Sequence, residues 1–452
     1  TTVAIGIPQS FFNGNGLAQV YRFNSSSLWE QMGNDIVGEG SSDEAGYSIS
    51  LSSSGLIVAV GAILYNGDGK ARGQCRIFSF SSSSSWEQIG QSIIGQDDAE
   101  KLGSSVSLSS NGTMIAIGSE GKYSSSGSVR VYQLEEDETT TSNSFLWNQI
   151  GQEILGQGGE DDTFGYSLDL SGDGTTVIIG APQIFANGNL PGYVQVYELE
   201  GTDSNNKTHS SKRTWAQVGD TLVGEQDGEE AGYSVALSHN GSTIIIGSIG
   251  YGEGLINSGV SRIYTTVSSS TTALLWNQVG QSIQGGMEGS FSGWSVSMSY
   301  DGLMVGIGAP GDNSDRGLAR VHELLSFSST NSADVTTRIV NIDNKNINNH
   351  EDDNDNDTIP RVRIRKRNRI RTAARTFDSS SDDRTMGNHA HRRHPHFQSL
   401  VDNIFNATIP IQRDPGGALG SITTTNQLRK RSRPDSSSKP TAHRSKLSLS
   451  HH

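Results

Sequence analysis

Carboxylates recur along this 452-residue sequence at a nearly constant step. Asp43 and Glu44 are followed by Asp97 and Asp98 with Glu100 close by, then by Glu160, Asp161 and Asp162, then by Asp227, Glu229 and Glu230. Glu288 stands alone in the last group. Clustered carboxylates can exchange protons, hold a cation or attract a basic partner. A glycosidase would need one pair set about 5 to 9 Å apart, and no pair here differs from its equivalents. His209, His239 and His322 fall at unrelated positions, with no partner to poise them for acid–base work. A non-enzyme is therefore the expectation, and a hydrolase is the remote alternative. The groups are read as docking sites for a basic partner or as weak cation sites, against the plainer reading of solvated loops in an acidic body.

Opposite chemistry lies further along. From residue 361 onward there are 19 Lys and Arg against 6 Asp and Glu, whereas the preceding residues carry 15 against 42. Arg361, Arg363, Arg365, Lys366, Arg367, Arg369 and Arg371 form a dense run after an acidic cluster at Asp352–Asp357. In an extended chain the six Arg share one edge, which suits contact with a polyanion. The same run, with a second basic patch at 429–434, would also pass for a nuclear import signal. Aromatic residues do not interleave it, so specific nucleic-acid reading is not expected. His389, His391, His394 and His396 are a weak metal signal, because Arg392 and Arg393 between them oppose a cation. Residues 326–452 are mostly too polar to bury a core and are expected to be a disordered tail.

The elements that position these groups come from a repeat. Trp29, Trp86, Trp147, Trp215 and Trp276 each open a segment of the form Trp-x-Gln-x-Gly. Gly46, Gly103, Gly165, Gly232 and Gly293 keep nearly the same step and open alternating strands. In one such strand Tyr166, Leu168 and Leu170 face away from Ser167, Asp169 and Ser171, the period-2 pattern of a strand with two unlike faces. Asn-Gly and Asp-Gly turns follow, as tight hairpins require. Each unit reads as four short antiparallel strands, and the Trp series as packing between units. Radial repetition of such units is a β-propeller, an all-β fold. The expectation is a propeller over residues 1–325 with about 22 strands. It has six blades as the chain stands, with seven in an intact protein as the alternative. The last unit is expected to end on its third strand at 317–324. Because the chain opens inside a repeat and without Met, it is read as a fragment or a processed product.

Phe164-Gly165 and Gly180-Ala181-Pro182 resemble the two signatures of the FG-GAP repeat, found in the propeller of integrin α subunits and many extracellular proteins. Gly308-Ala309-Pro310 repeats the second signature, while Gly61-Ala62, Gly118-Ser119 and Gly247-Ser248 drift from it. The resemblance covers residues 1 to about 325 and implies an adhesive or binding role. It also implies a calcium loop between the first two strands. Here that connection is a short turn such as Ser171-Gly172-Asp173-Gly174, with too few oxygens for the six to eight that Ca²⁺ takes. No cofactor is expected.

In this strand order the fourth-to-first and second-to-third connections share one face of the disc. The acidic groups fall there. The sequons at Asn24, Asn111, Asn206 and Asn240 fall on the opposite face, and two more (Asn356, Asn406) lie in the tail. The leading expectation is a binding module, extracellular or at the cell surface, that engages a protein or glycan through its acidic face. An intracellular scaffold steered by its basic tail is the second reading. Cys75 is alone, so no disulfide framework is expected, and no apolar run approaches the roughly 20 residues that span a membrane.

Overall fold

The computed structural model describes residues 1–342 apart from 9–13, 67–69, 122–125, 139–143, 158, 160–161, 185–189, 202–212, 253–254, 269–273, 313–316 and 327–334. Six antiparallel sheets follow one another in chain order. Strand-forming segments are short because each apolar run ends in Gly, Ser or Asn within about seven residues, which stops a strand before it can pair far.

Blade 2 shows the unit. Its inner strand is Ala45–Leu51, its second Ile57–Ala62, its third Gln74–Phe80 and its outer Trp86–Gln88. Blades 3, 4 and 5 repeat this order, with inner strands Leu102–Leu108, Ser167–Leu170 and Ala231–Leu237. Blade 1 supplies the second, third and outer strands, Thr2–Ile7, Leu17–Phe23 and Trp29–Gln31. Blade 6 has Ser295–Met298, Met304–Ala309, Leu318–Ser326 and Val335–Ile342. The arrangement is the six-bladed β-propeller expected from the repeat, without a helix among the described elements.

Two details differ from the sequence reading. Val335–Ile342 supplies a fourth strand to blade 6 beyond residue 325, pairing along Leu318–Ser326. It lacks the Trp signature, but all of its residues except Arg338 and Asn341 are Val, Ile or Thr, a β-branched composition that favours a strand. The described strands are also more numerous than about 22. After the outer strand, a two-residue strand such as Ile93–Ile94 returns to the third strand. The glycine of Trp-x-Gln-x-Gly makes that break, since Gly90 sits at φ 72°, where a side chain is strained.

The core lies between blades rather than within them. Trp147 and Trp215 are 2% and 3% exposed. Each indole N–H donates to the preceding blade, Trp147 Nε1 to Ile89 O at 2.9 Å and Trp215 Nε1 to Ile150 O at 3.0 Å. Trp86 and Trp276 do the same to Met32 O and Val218 O. Trp86, Trp147, Trp215 and Trp276 are thus packing between blades, whereas Trp29 is half exposed and packs on Phe23 of its own blade. The repeating glycines serve the same junctions: a Cβ on Gly118 would overlap the carbonyl of Gly165, and one on Gly180 that of Gly232. Blade-to-blade approach at that separation tolerates only hydrogen at Cα.

Candidate functional site

The fourth-to-first loops end in a residue with left-handed φ at the start of each inner strand: Glu44, Lys101, Thr163, Glu230 and Phe291, all between φ 50° and 58°. In the first four of these loops the residue before it is a buried acid, Asp43, Glu100, Asp162 or Glu229, each no more than 2% exposed. These acids hold structure. Glu100 Oε2 accepts the Gln96 and Asp97 amides at 2.6 and 3.0 Å, while Oε1 meets the Arg130 guanidinium. Glu229 repeats this with the Glu225 amide and Arg262. Asp162 accepts Tyr193 Oη at 2.6 Å and Gln183 Nε2 at 2.9 Å. Asp43 takes the Gly40 amide, and burial raises its carboxyl above the usual range, against that amide and Arg76.

Arginine recurs at one register of the third strand, Arg76, Arg130, Arg262 and Arg320 all pairing with the same second-strand position. Arg130 and Arg262 meet Glu100 and Glu229. Arg76 instead bonds Glu39 and Val37 O, and Arg320 bonds Asp312. Blade 4 has Gln195 there, and its acid turns to Tyr193 instead. The pairing of Arg130 and Arg262 with their loop acids is visible in the sequence as blade-by-blade correspondence.

The remaining acids divide. Asp97, Asp98 and Asp227 are exposed, and Asp98 accepts the Lys70 amide and meets Arg72 at 3.5 Å. Glu44 and Glu230 are half-buried. Burial lifts the Glu230 carboxyl to about 7, and its Oε2 is enclosed without a hydrogen bond. Glu44 is raised for the same reason, with Lys101 opposing. Glu160 and Asp161 lie outside the described residues, as do Asn206 and His209. So does everything beyond residue 342, including the run Arg361, Arg363, Arg365, Lys366, Arg367, Arg369 and Arg371 and the histidines at 389–396.

Inside the ring of inner strands lies an axial cavity of about 570 Å³. Its wall mixes hydroxyl and apolar side chains: Ser48, Ser50, Ser105, Ser107, Ser167 and Ser297 line it beside residues such as Leu51, Val106 and Leu237. Near the acidic-loop end, rings cluster, Tyr166 to Tyr233 at 5.2 Å and Tyr233 to Trp294 at 5.1 Å. At the opposite end His239 stacks on Tyr300 at 3.9 Å, and its Nδ1 lies 3.1 Å from Ser110 Oγ. Asp169 is half-buried in the wall. It accepts Ser107 Oγ at 2.9 Å, the Leu170 amide at 3.0 Å and the Leu237 amide at 2.9 Å. Burial pushes it up to about 6 against those three bonds.

Sequence reasoning did not single out Asp169, although a signal was there. The equivalent inner-strand positions are Ser50, Ser107, Ala236 and Ser297, so Asp169 breaks the repeat's symmetry. The Ser110–His239 contact had no such signal, because the two residues are far apart in sequence. His322 is 1% exposed with neither ring nitrogen bonded, and burial with Arg320 nearby lowers it to about 4. Among the described residues no group of three or more His, Cys, Asp or Glu is placed to hold a metal ion. Cys75 is buried, which pushes its thiol up to about 12.

On the face away from the acidic loops, Asn111 and Asn240 occupy exposed turn positions. Each Oδ1 accepts from the turn, from Thr113 and from Ser242 respectively. Asn24 caps its own turn through Oδ1, accepting the Ser26 and Leu28 amides.

The fold and this site define a propeller whose axis is lined by serine, aromatic and apolar side chains. No protein-family model and no curated protein matches the chain. Solved structures that resemble it include TolB from Acinetobacter baumannii, at 11% identity and TM-score 0.35, covering 71% of this chain. The chain spans 61% of that TolB's length. The periplasmic gluconolactonase of Pseudomonas aeruginosa resembles it at 15% identity and TM-score 0.34, over 75% of this chain and 96% of that one. No helix among the described residues is long and apolar enough to cross a membrane.

Proposed function

We propose that the protein is a non-catalytic binding module that takes a protein or glycan partner at the acidic-loop mouth of its axis. The chemistry of the lining supports this reading. Buried loop acids are committed to backbone amides and arginines. The hydroxyls of Ser48, Ser105, Ser107 and Ser167 donate within the wall, so the mouth of the cavity offers aromatic rings beside hydroxyl oxygens that can still accept. Such a wall recognises by hydrogen bonding and stacking rather than by moving protons. Tyr47 and Trp294 are half-buried rings in this wall, and the exposed Asp97, Asp98 and Asp227 on the same face favour a basic rim on the partner.

The FG-GAP resemblance, carried by Phe164-Gly165 and the two Gly-Ala-Pro triplets, extends this to adhesion outside the cell. Exposed Asn111 and Asn240 on the opposite face suit a glycoprotein whose glycans leave the acidic face open. A glycan array probed with the full chain tests the reading. Saturable binding that Trp294→Ala and Tyr47→Ala each weaken, with the melting curve retained, is the expected result. Binding insensitive to both substitutions would sink it. Mass measured before and after enzymatic removal of N-glycans tests the compartment, with loss from peptides holding Asn111 or Asn240 expected.

A further inference from the structure

At one level of the axis the inner strands of blades 2 to 6 carry Ser50, Ser107, Asp169, Ala236 and Ser297. Three of these side chains do the same job for the next blade. Ser50 Oγ accepts the Leu108 amide at 3.0 Å, Ser107 Oγ the Leu170 amide at 3.1 Å and Asp169 Oδ2 the Leu237 amide at 2.9 Å. A hydroxyl therefore suffices for this brace. The carboxylate in blade 4 adds a charge that the brace does not use.

That charge has only neutral donors among the described residues: Ser107 Oγ and the Leu170 and Leu237 amides. None of the described residues lining the axis is Lys or Arg. Besides Asp169, the titratable groups there are four tyrosines, His239 and the Thr1 amino group. A carboxylate drawn out of water without a cation is unfavourable, and burial accordingly holds this carboxyl up at about 6. Three accepted bonds leave it room for a fourth. A cationic ligand would supply both the bond and the missing charge.

The surroundings select the kind of cation. One carboxylate among hydroxyls is a poor match for the six or more oxygens of a divalent ion, and no group of three or more His, Cys, Asp or Glu is placed for a metal among the described residues. Leu168, Val235 and Leu237 also line the axis, and they suit an aliphatic stem. Tyr166 stands three residues before Asp169, about 10 Å away at strand spacing, and opens the ring cluster with Tyr233 and Trp294. A lysine of a partner docked at the mouth has a four-carbon stem, too short for that depth.

We propose that the axis binds a free, unbranched primary alkylammonium, its charge against Asp169 and its chain running along Leu168 and Val235 toward Tyr166, Tyr233 and Trp294. This site lies deeper than the mouth assigned to the protein or glycan partner and does not depend on what docks there.

The probe is n-hexylamine, titrated into the full chain by calorimetry at pH 7.5, with n-hexanol as its neutral match. Saturable binding of the amine is expected, with the alcohol weaker by about tenfold or more. Asp169→Ser installs the residue that already makes this brace in blades 2 and 3, and a melting curve checks that the fold is kept. Amine binding to it should fall about tenfold or more. Binding to the native chain should also weaken at pH 5, where Asp169 is largely protonated and the amine still charged. Absence of saturable amine binding overturns the proposal, as does equal binding of amine and alcohol. Native-like amine binding by Asp169→Ser would leave Asp169 a brace alone and overturn it. N-acetyl-lysine methylamide binding as tightly as n-hexylamine would assign the site to a partner's side chain and overturn it too. The glycan array reads the mouth separately, so neither result decides the other.

Discussion

Glu100 and Arg130 are both almost wholly enclosed, and they meet at the junction where one loop enters blade 3. Glu100 spends its other oxygen on two loop amides, and Arg130 spends its Nε on Glu153 at 3.0 Å. The pair therefore ties the acidic loop to the third strand of the same blade. The acidic character of this face is partly an internal brace.

Removing one member of that brace leaves the other charged and buried. Arg130→Met should cost about 3 to 5 kcal/mol, measured by denaturant unfolding. The exposed Asp98→Asn should change stability by less than about 1 kcal/mol, since Asp98 meets Arg72 in solvent. Equal effects from the two would contradict the division between bracing and solvated acids.

Asp169 binds protons more tightly in the folded state than in the unfolded chain, its carboxyl being raised from 3.8 to about 6. Its contribution to stability therefore falls as pH rises from about 4 through 6, because the unfolded chain releases the proton first. Glu230, raised to about 7, acts with the same sign over the window above its ordinary 4.5. Asp169→Asn should flatten the pH dependence between about 4 and 6. An unchanged slope in urea melts across that range would count against it.

Glu230 combines left-handed φ, 58°, with a buried oxygen lacking a partner. Glu230→Gly removes both penalties at once, the first worth about 1 kcal/mol. Stabilisation is expected, and most strongly above pH 7. Thr163→Gly, at the equivalent φ of 55° but with its hydroxyl bonded to Asp162 O, should gain less. A higher melting temperature for Glu230→Gly at pH 8 checks the first half. The comparison of the two variants checks the second.

His322 has the opposite sign. Lowered to about 4, it favours the neutral ring, so stability is lost as pH falls from its ordinary 6.5 toward 4. His322→Leu should remove that loss while leaving its neighbours Val321 and Leu324 buried in blade 6. Calorimetry at pH 4.5 and 7.5 would show the gain at the lower pH alone.

Trp147 and Trp29 share a sequence signature and differ in setting, at 2% and 49% exposed. Trp147→Ala should cost about 3 to 5 kcal/mol. Trp29→Ala should cost far less, because Trp29 stands half in solvent and packs on Phe23, ring centroids 5.2 Å apart, within its own blade. Unfolding of the two variants under one set of conditions decides the point.

The strand class, the blade count and the interblade role of Trp86, Trp147, Trp215 and Trp276 were legible in the sequence, because period-2 alternation, Asn-Gly turns and a 57- to 68-residue step are local facts repeated many times. Repetition averages out local ambiguity. Val335–Ile342 was not legible as a blade strand, since a strand without Trp or glycine markers shows itself only through the neighbour it pairs with. The acidic loops were legible as composition and not as roles. Glu100 and Asp97 look alike in sequence, and only the folded chain buries the first against Arg130 and leaves the second at the surface. Asp169 and His322 take their properties from packing across blades, where removal from water shifts a carboxyl or neutralises a ring. Sequence by itself determined the repeating unit. Which of its polar groups are buried, and against what, was decided by closing those units around an axis, because burial depends on residues some 60 positions away.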